Sequence, residues 1–242
     1  MVPEFLIEYR AIITNTFELM AALCGSYYLK KEDDDRLRVF VYYLWMTFAF
    51  EVVGNYGYFM SDNYDHKWFI ALKNSLFCSN IWLYNIYTYL AIGFISIFYF
   101  NLMKSFASKI TILFIIVGYS IFSIIFYVVT DAFFRFTMPY QLTIGVGIIC
   151  IYVLLYFLQL IKSDKILEYF KLPSVYISIG LLLWYLCIIP LFLFNVYFYS
   201  ISTDFGKFRI LLLLIINICT YSWFSFGFLY PLYRKGLLRK KK

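Results

Sequence analysis

Two carboxyl groups, Glu18 and Glu51, interrupt long apolar stretches of this chain. A charged side chain in hydrocarbon is costly, and such groups mark ion, proton or ligand sites by default. No lysine or arginine stands in the middle of either stretch to neutralise them. Their expected partners are amides, hydroxyls, water, a cation or a proton. On the second stretch Thr47, Glu51 and Asn55 recur every four residues, which puts them on one helix face. Asn85 and Asn217 are the deep polar groups of two further stretches, with Tyr84, Tyr87 and Tyr89 forming an aromatic wall. Glu18, Thr47, Glu51, Asn55, Asn85 and Asn217 are therefore the candidate ligand- or ion-binding set. Carboxyls without basic partners suit a small neutral or cationic ligand. Asn80, Gln141 and Asn195 extend the set outward and read first as hydrogen-bonding glue between helices.

Other chemistries find little support. The single histidine, His66, lies in a loop with Asp62 and Asp65 and reads as solvated. Haem held by two histidines within one chain is excluded, and a catalytic triad would have to use that loop histidine. No Walker motif, dinucleotide fingerprint or HExxH occurs. The five cysteines lie in or beside apolar stretches without a CxxC pair, as small apolar residues do. No cofactor, metal or catalytic residue is expected, and an intramembrane enzyme is the remotest reading.

The elements that must position the polar set follow from composition. The chain has 242 residues, 63% of them hydrophobic, 24% aromatic and only 14% charged. Soluble domains run nearer one quarter charged. This balance excludes an ordinary soluble enzyme and a disordered chain, and predicts an integral membrane protein. A helix needs roughly 20 apolar residues to cross the hydrocarbon core. Seven stretches qualify: Ala11–Leu29, Val39–Met60, Leu76–Phe100, Ile110–Val129, Met138–Ile161, Val175–Phe198 and Ile210–Tyr230. Runs such as Ile112–Val117 and Leu211–Ile216 are apolar on every face, whereas a barrel strand alternates, so the fold class is all-α. The gaps hold charge and are short. One seven-helix transmembrane domain over residues 1–242, with a basic C-terminal tail and no cleavable signal peptide, is the expected organisation.

Lysine and arginine prefer cytoplasmic loops. Fifteen of the 21 fall in the first, third and fifth loops and the C-terminal tail, and six fall on the other side. The N-terminus is thus expected outside and the C-terminus in the cytoplasm, in a plasma or inner membrane. This asymmetry explains the net charge of +7 without nucleic acid. The tail Arg239–Lys242 meets lipid headgroups or a cytoplasmic protein partner, and the acidic run Glu32–Asp35 reads as a self-neutralising turn beside Arg36. Asp131 and Arg135 are spaced for a local ion pair. With this orientation, Glu18, Glu51, Asn85 and Asn217 all lie about 10–13 Å in from the outer face at about 1.5 Å per residue.

Seven helices with an outer N-terminus resemble the rhodopsin and heptahelical-receptor arrangement, in topology alone. Microbial rhodopsins carry retinal on a lysine of the last helix, and Ile210–Tyr230 has none. Asn217 is followed by Ile218 and Cys219 where such receptors have proline next. Sugar carriers built from two matching halves fit poorly, since Pro139, Pro173, Pro190 and Pro231 all fall in the second half. Pro190 lies inside the sixth stretch and removes a backbone hydrogen bond, predicting a kink near Leu186 and a candidate gate. Pro173 and Pro231 mark span ends, and Gly54, Gly145 and Gly147 permit close helix approach. The leading expectation is a receptor-like protein or sensor with an outward-facing polar pocket. The alternatives are a small proton- or cation-coupled transporter or channel, and a structural subunit of a membrane complex.

Overall fold

The computed structural model describes residues 4–59, 67–130, 132–135, 139–198 and 203–240. His66, Asp62, Asp65 and Asp131 lie outside the described residues, as do the last two lysines and the side chains of Gln141, Asn195, Arg135 and Arg239. Seven long helices carry the described chain: α1 (Arg10–Lys31), α2 (Asp35–Gly54), α3 (Ile81–Leu102), α4 (Phe106–Val129), α5 (Pro139–Ile161), α6 (Pro173–Phe198) and α7 (Thr203–Lys240). Short helices fill the connections at Glu4–Glu8, Tyr56–Phe59, Lys67–Lys73 and Ala132–Arg135, with a 3-10 stretch at Asp164–Lys171.

Six helices, α2 to α7, are long and apolar enough to cross a membrane. The chain is an all-α, multi-pass membrane protein. The first helix is as long but less apolar, because it carries Arg10, Thr14, Asn15, Thr16, Glu18 and Ser26. Its buried positions are Glu18, Ala21, Ala22, Gly25 and Tyr28, one face of a helix repeating every three or four residues.

Helices α1, α2, α3, α5, α6 and α7 close into a ring, each packed on the next, with α7 returning to α1. α4 stands outside the ring against α3 and α5. Its Phe114, Val128 and Val129 are about four-fifths exposed, the mark of a lipid-facing helix. Between helices in lipid there is no hydrophobic drive, so close packing and hydrogen bonds must hold the ring. Both are present. Phe40 of α2 meets Phe98 of α3 at 5.3 Å and Phe224 of α7 at 5.2 Å between ring centroids. A Cβ on Gly227 would stand 2.5 Å from Tyr176 Cβ, so the α6–α7 seam depends on that missing methyl. Hydroxyls bridge the helices as well: Tyr99 donates to Ser178 at 2.9 Å, and Tyr156 and Ser174 lie 2.7 Å apart.

Several boundaries differ from the sequence expectation. α3 begins at Ile81, not Leu76, because the chain before it turns; the Tyr56 hydroxyl donates to the carbonyls of Phe77 and Ser79 there. α7 runs through Pro231 to Lys240, so Pro231 does not end the helix. A proline removes only one N–H, and tertiary neighbours in a bundle compensate for it. Pro173 and Pro139 are the first residues of α6 and α5, where the missing N–H costs nothing. Gly147 meets no other group within 4 Å and serves no close approach, whereas Gly54 and Gly145 do. The turn after α1 neutralises itself as expected: Asp34 caps α2 and pairs with Arg36, and Arg38 pairs with Asp33 and Asp35.

Candidate functional site

The polar face of α1 is built from Ala11, Thr14, Asn15 and then Glu18, three or four residues apart and therefore stacked on one side. α7 arrives beside it with Arg209, Asn217 and Tyr221. α2 contributes Glu51 and Asn55 from its last turn, and α3 contributes Asn80 and Tyr84 from its start. These helix ends enclose a cavity of about 420 Å³ lined by Glu51, Asn55, Asn80, Tyr84, Arg10, Arg209 and Asn217, among others.

Each wall is fixed by hydrogen bonds. The Tyr84 hydroxyl donates to Glu51 Oε2 at 3.1 Å. The Asn80 amide donates to the Gly54 carbonyl at 2.9 Å and so ties the end of α2 to the start of α3. Asn217 Oδ1 accepts from Trp184 Nε1 at 2.9 Å, which holds α7 to α6. The backbone N–H of Asn55 still bonds Glu51 at the end of α2, leaving its side chain at the cavity.

Glu18 sits one helical turn deeper and is 2% exposed. Tyr221 is its hydrogen-bonding neighbour and Glu51 is close enough to act on it electrostatically. Its Oε2 has no hydrogen-bond partner among the described residues. Thr47 lies at the same inner layer, 1% exposed; its hydroxyl donates to the Tyr43 carbonyl at 3.0 Å and stands 3.3 Å from the Tyr87 hydroxyl. Glu18, Thr47, Tyr43 and Tyr221 are all buried, and none of them lines the cavity itself.

The structure gathers Glu51, Asn55 and Asn217 at one cavity and places Glu18 and Thr47 beneath it. Asn85 goes elsewhere. It is buried, and its amide donates to the Phe133 carbonyl at 2.9 Å, fastening the short Ala132–Arg135 helix to α3. Pro190 lies in α6, which stays helical on both sides of it and does not line this cavity.

Two residues escaped the sequence reading. Arg10 and Arg209 stand outside the candidate set drawn from the sequence, yet both line the cavity with Glu51. Arg209 Nε is buried without a hydrogen-bond partner among the described residues. Both arginines stand at the ends of α1 and α7 that share the cavity, and that common depth was the available signal. The site is therefore mixed in charge rather than purely acidic. Among the described residues no three His, Cys, Asp or Glu side chains gather to hold a metal ion. No family model, curated protein or solved structure matches the chain.

Proposed function

We propose that this protein is a receptor-like sensor of a small polar ligand, received in the cavity lined by Glu51, Asn55, Asn217, Arg10 and Arg209. One observation carries the reading: a carboxylate and two guanidiniums face one cavity at one end of a helical ring. Glu51 suits a cationic or hydrogen-bond-donating end of the ligand, and the guanidiniums suit an acceptor or anionic end. The sequence alone favoured a neutral or cationic ligand because no basic partner was visible; the two arginines widen that class to molecules bearing both kinds of group.

In this reading all seven long helices cross the bilayer as one domain, residues 1–242, with the N-terminus outside and the C-terminus in the cytoplasm of a plasma or inner membrane. The lower apolarity of α1 is consistent with a crossing, since α2 and α7 flank it and its polar face turns inward. The excess of lysine and arginine at the other end supports the orientation and offers a surface for a cytoplasmic protein partner. No nucleic acid is involved.

A second reading is a proton- or cation-coupled transporter, and a specific observation favours it. Glu18, with its unpartnered Oε2, lies directly inside Glu51, as two successive stations of a path would. Pro190 would then be the bend that changes access. The third reading, a structural subunit, draws on the interhelical bonds of Asn85 and Thr47. Reconstitution in liposomes separates them. The sensor reading expects no proton, sodium or potassium flux under an imposed gradient, together with thermal stabilisation by at least one member of a panel of amino acids and amines that Glu51→Gln abolishes. Flux lost in Glu51→Gln selects the transporter. Neither flux nor stabilisation leaves the structural reading.

A further inference from the structure

A second cavity, of about 310 Å³, lies at the opposite end of the bundle from Glu51. It is formed by Tyr28 in the last turn of α1, the starts of α2 and α6, and the chain leaving α3 at Lys104. Three cations line it: Arg36, Lys104 and Lys171. Asp34 occupies Nε and Nη2 of Arg36, at 2.9 and 3.0 Å, and Glu168 occupies Lys171. Nη1 of Arg36 and the ammonium of Lys104 therefore keep their donors, without an acidic partner among the described residues.

A buried group points into the same space. Tyr28 is 3% exposed and lines the cavity, and among the described residues nothing hydrogen-bonds its hydroxyl. Its ring is held by Phe228, at 5.8 Å between centroids. The side chain as a whole is buried while its hydroxyl remains a free donor at the cavity. The first residues of α6, Pro173 and Ser174, complete the wall. The Ser174 hydroxyl is already committed to Tyr156, 2.7 Å away, and the Val175 N–H to the Leu172 carbonyl, at 3.1 Å.

Two free cationic groups and one free hydroxyl line a space large enough for a small anion. Carboxylate-paired arginine still has a face for a second acceptor, and lysine acts as a point charge for phosphate. We propose that this cavity binds a phosphate group, held by Arg36 Nη1, Lys104 Nζ and the Tyr28 hydroxyl. The phosphate belongs either to an anionic lipid headgroup reached from the surrounding bilayer or to a free phosphate compound. The site is independent of the Glu51 cavity and of any reading of it.

The test uses the full chain purified in a neutral detergent. Inorganic phosphate binding is measured by calorimetry, and retention of phosphatidic acid against phosphatidylcholine by native mass spectrometry. The variants are Lys104→Ala, at an exposed position, and Tyr28→Phe, which keeps the ring in place. The wild type is expected to bind phosphatidic acid, inorganic phosphate or both, with each variant weakening that binding about tenfold, the scale of one lost hydrogen bond to a charged group. Retention of phosphatidic acid alone identifies a lipid as the source, and binding of inorganic phosphate identifies a free phosphate. Binding of neither probe, equal retention of phosphatidylcholine, or binding that either variant leaves unchanged overturns the proposal.

Discussion

The hydroxyl of Tyr84 donates to Glu51 Oε2 at 3.1 Å, joining α3 to the acidic wall of the cavity. The contact exists because residue 54 is glycine: a Cβ there would stand 2.8 Å from that same hydroxyl. Position 54 is three residues beyond Glu51 and lies on the neighbouring turn of α2. A glycine, a tyrosine and a carboxylate therefore form one unit.

Tyr84→Phe and Gly54→Ala are expected to act alike. The first removes the donor, and the second displaces it. Each should shift the carboxyl stretching band that infrared difference spectra assign to Glu51 by its loss in Glu51→Gln. Each should cost about 1 kcal/mol of thermal stability, the scale of an interhelical hydrogen bond in a membrane.

Asn85 and Asn55 should separate cleanly. Asn85→Ala leaves the part-buried Phe133 carbonyl without its donor, at a cost of about 1 kcal/mol, read as a lowered thermal midpoint in detergent. The Glu51 cavity should be unaffected. Asn55→Ala removes a cavity-lining amide with no interhelical bond among the described residues and should leave the midpoint within about 0.5 kcal/mol of wild type.

The contrast between these two asparagines shows what the sequence could and could not convey. Counting residues from span ends put Glu18, Glu51, Asn85 and Asn217 at one level, and two of the four, Glu51 and Asn217, line one cavity. Azimuth was not legible. Tyr84 and Asn85 are consecutive, so their side chains leave α3 about 100° apart; Tyr84 turns to Glu51 and Asn85 turns to the Ala132–Arg135 helix. Which face meets which neighbour depends on the order of helices around the ring, and local sequence does not encode that order. The arginines failed for a related reason. Arg10 and Arg209 lie at helix ends that sequence alone assigns to the water interface, and only the convergence of α1 and α7 turns them onto Glu51. The helices themselves were legible because apolar length is a property of each segment alone. Each of the seven expected stretches holds one long helix, six of them apolar enough to cross a membrane, and α1 falls short in apolarity because of its polar face.

Glycine positions should divide by what they face. Gly227→Ala drives a methyl against Tyr176 Cβ at 2.5 Å, and neither atom is a flexible chain end. Overpacking of this kind costs about 1–3 kcal/mol. Gly147→Ala meets nothing within 4 Å and should be neutral or slightly stabilising through helix propensity. Thermal unfolding of both variants in one detergent checks the pair.

Pro190 withholds a backbone N–H from the Leu186 carbonyl in the middle of α6. Pro190→Ala restores that bond, and amide hydrogen exchange in the second half of α6 should slow. Unchanged exchange would mean that the proline is not a point of opening, and would remove the bend from the transporter reading.

The proposed sensor requires that the cavity lined by Glu51, Arg10 and Arg209 be wet and open to the outer face. Asn55→Cys, in a chain whose five native cysteines are replaced by alanine, tests it most directly. Intact cells are treated with a membrane-impermeant thiol reagent, with permeabilised cells as the control. Labelling without permeabilisation, blocked by pretreatment with a small impermeant methanethiosulfonate, is the expected result. Labelling only after permeabilisation, or no labelling in either state, would contradict the account.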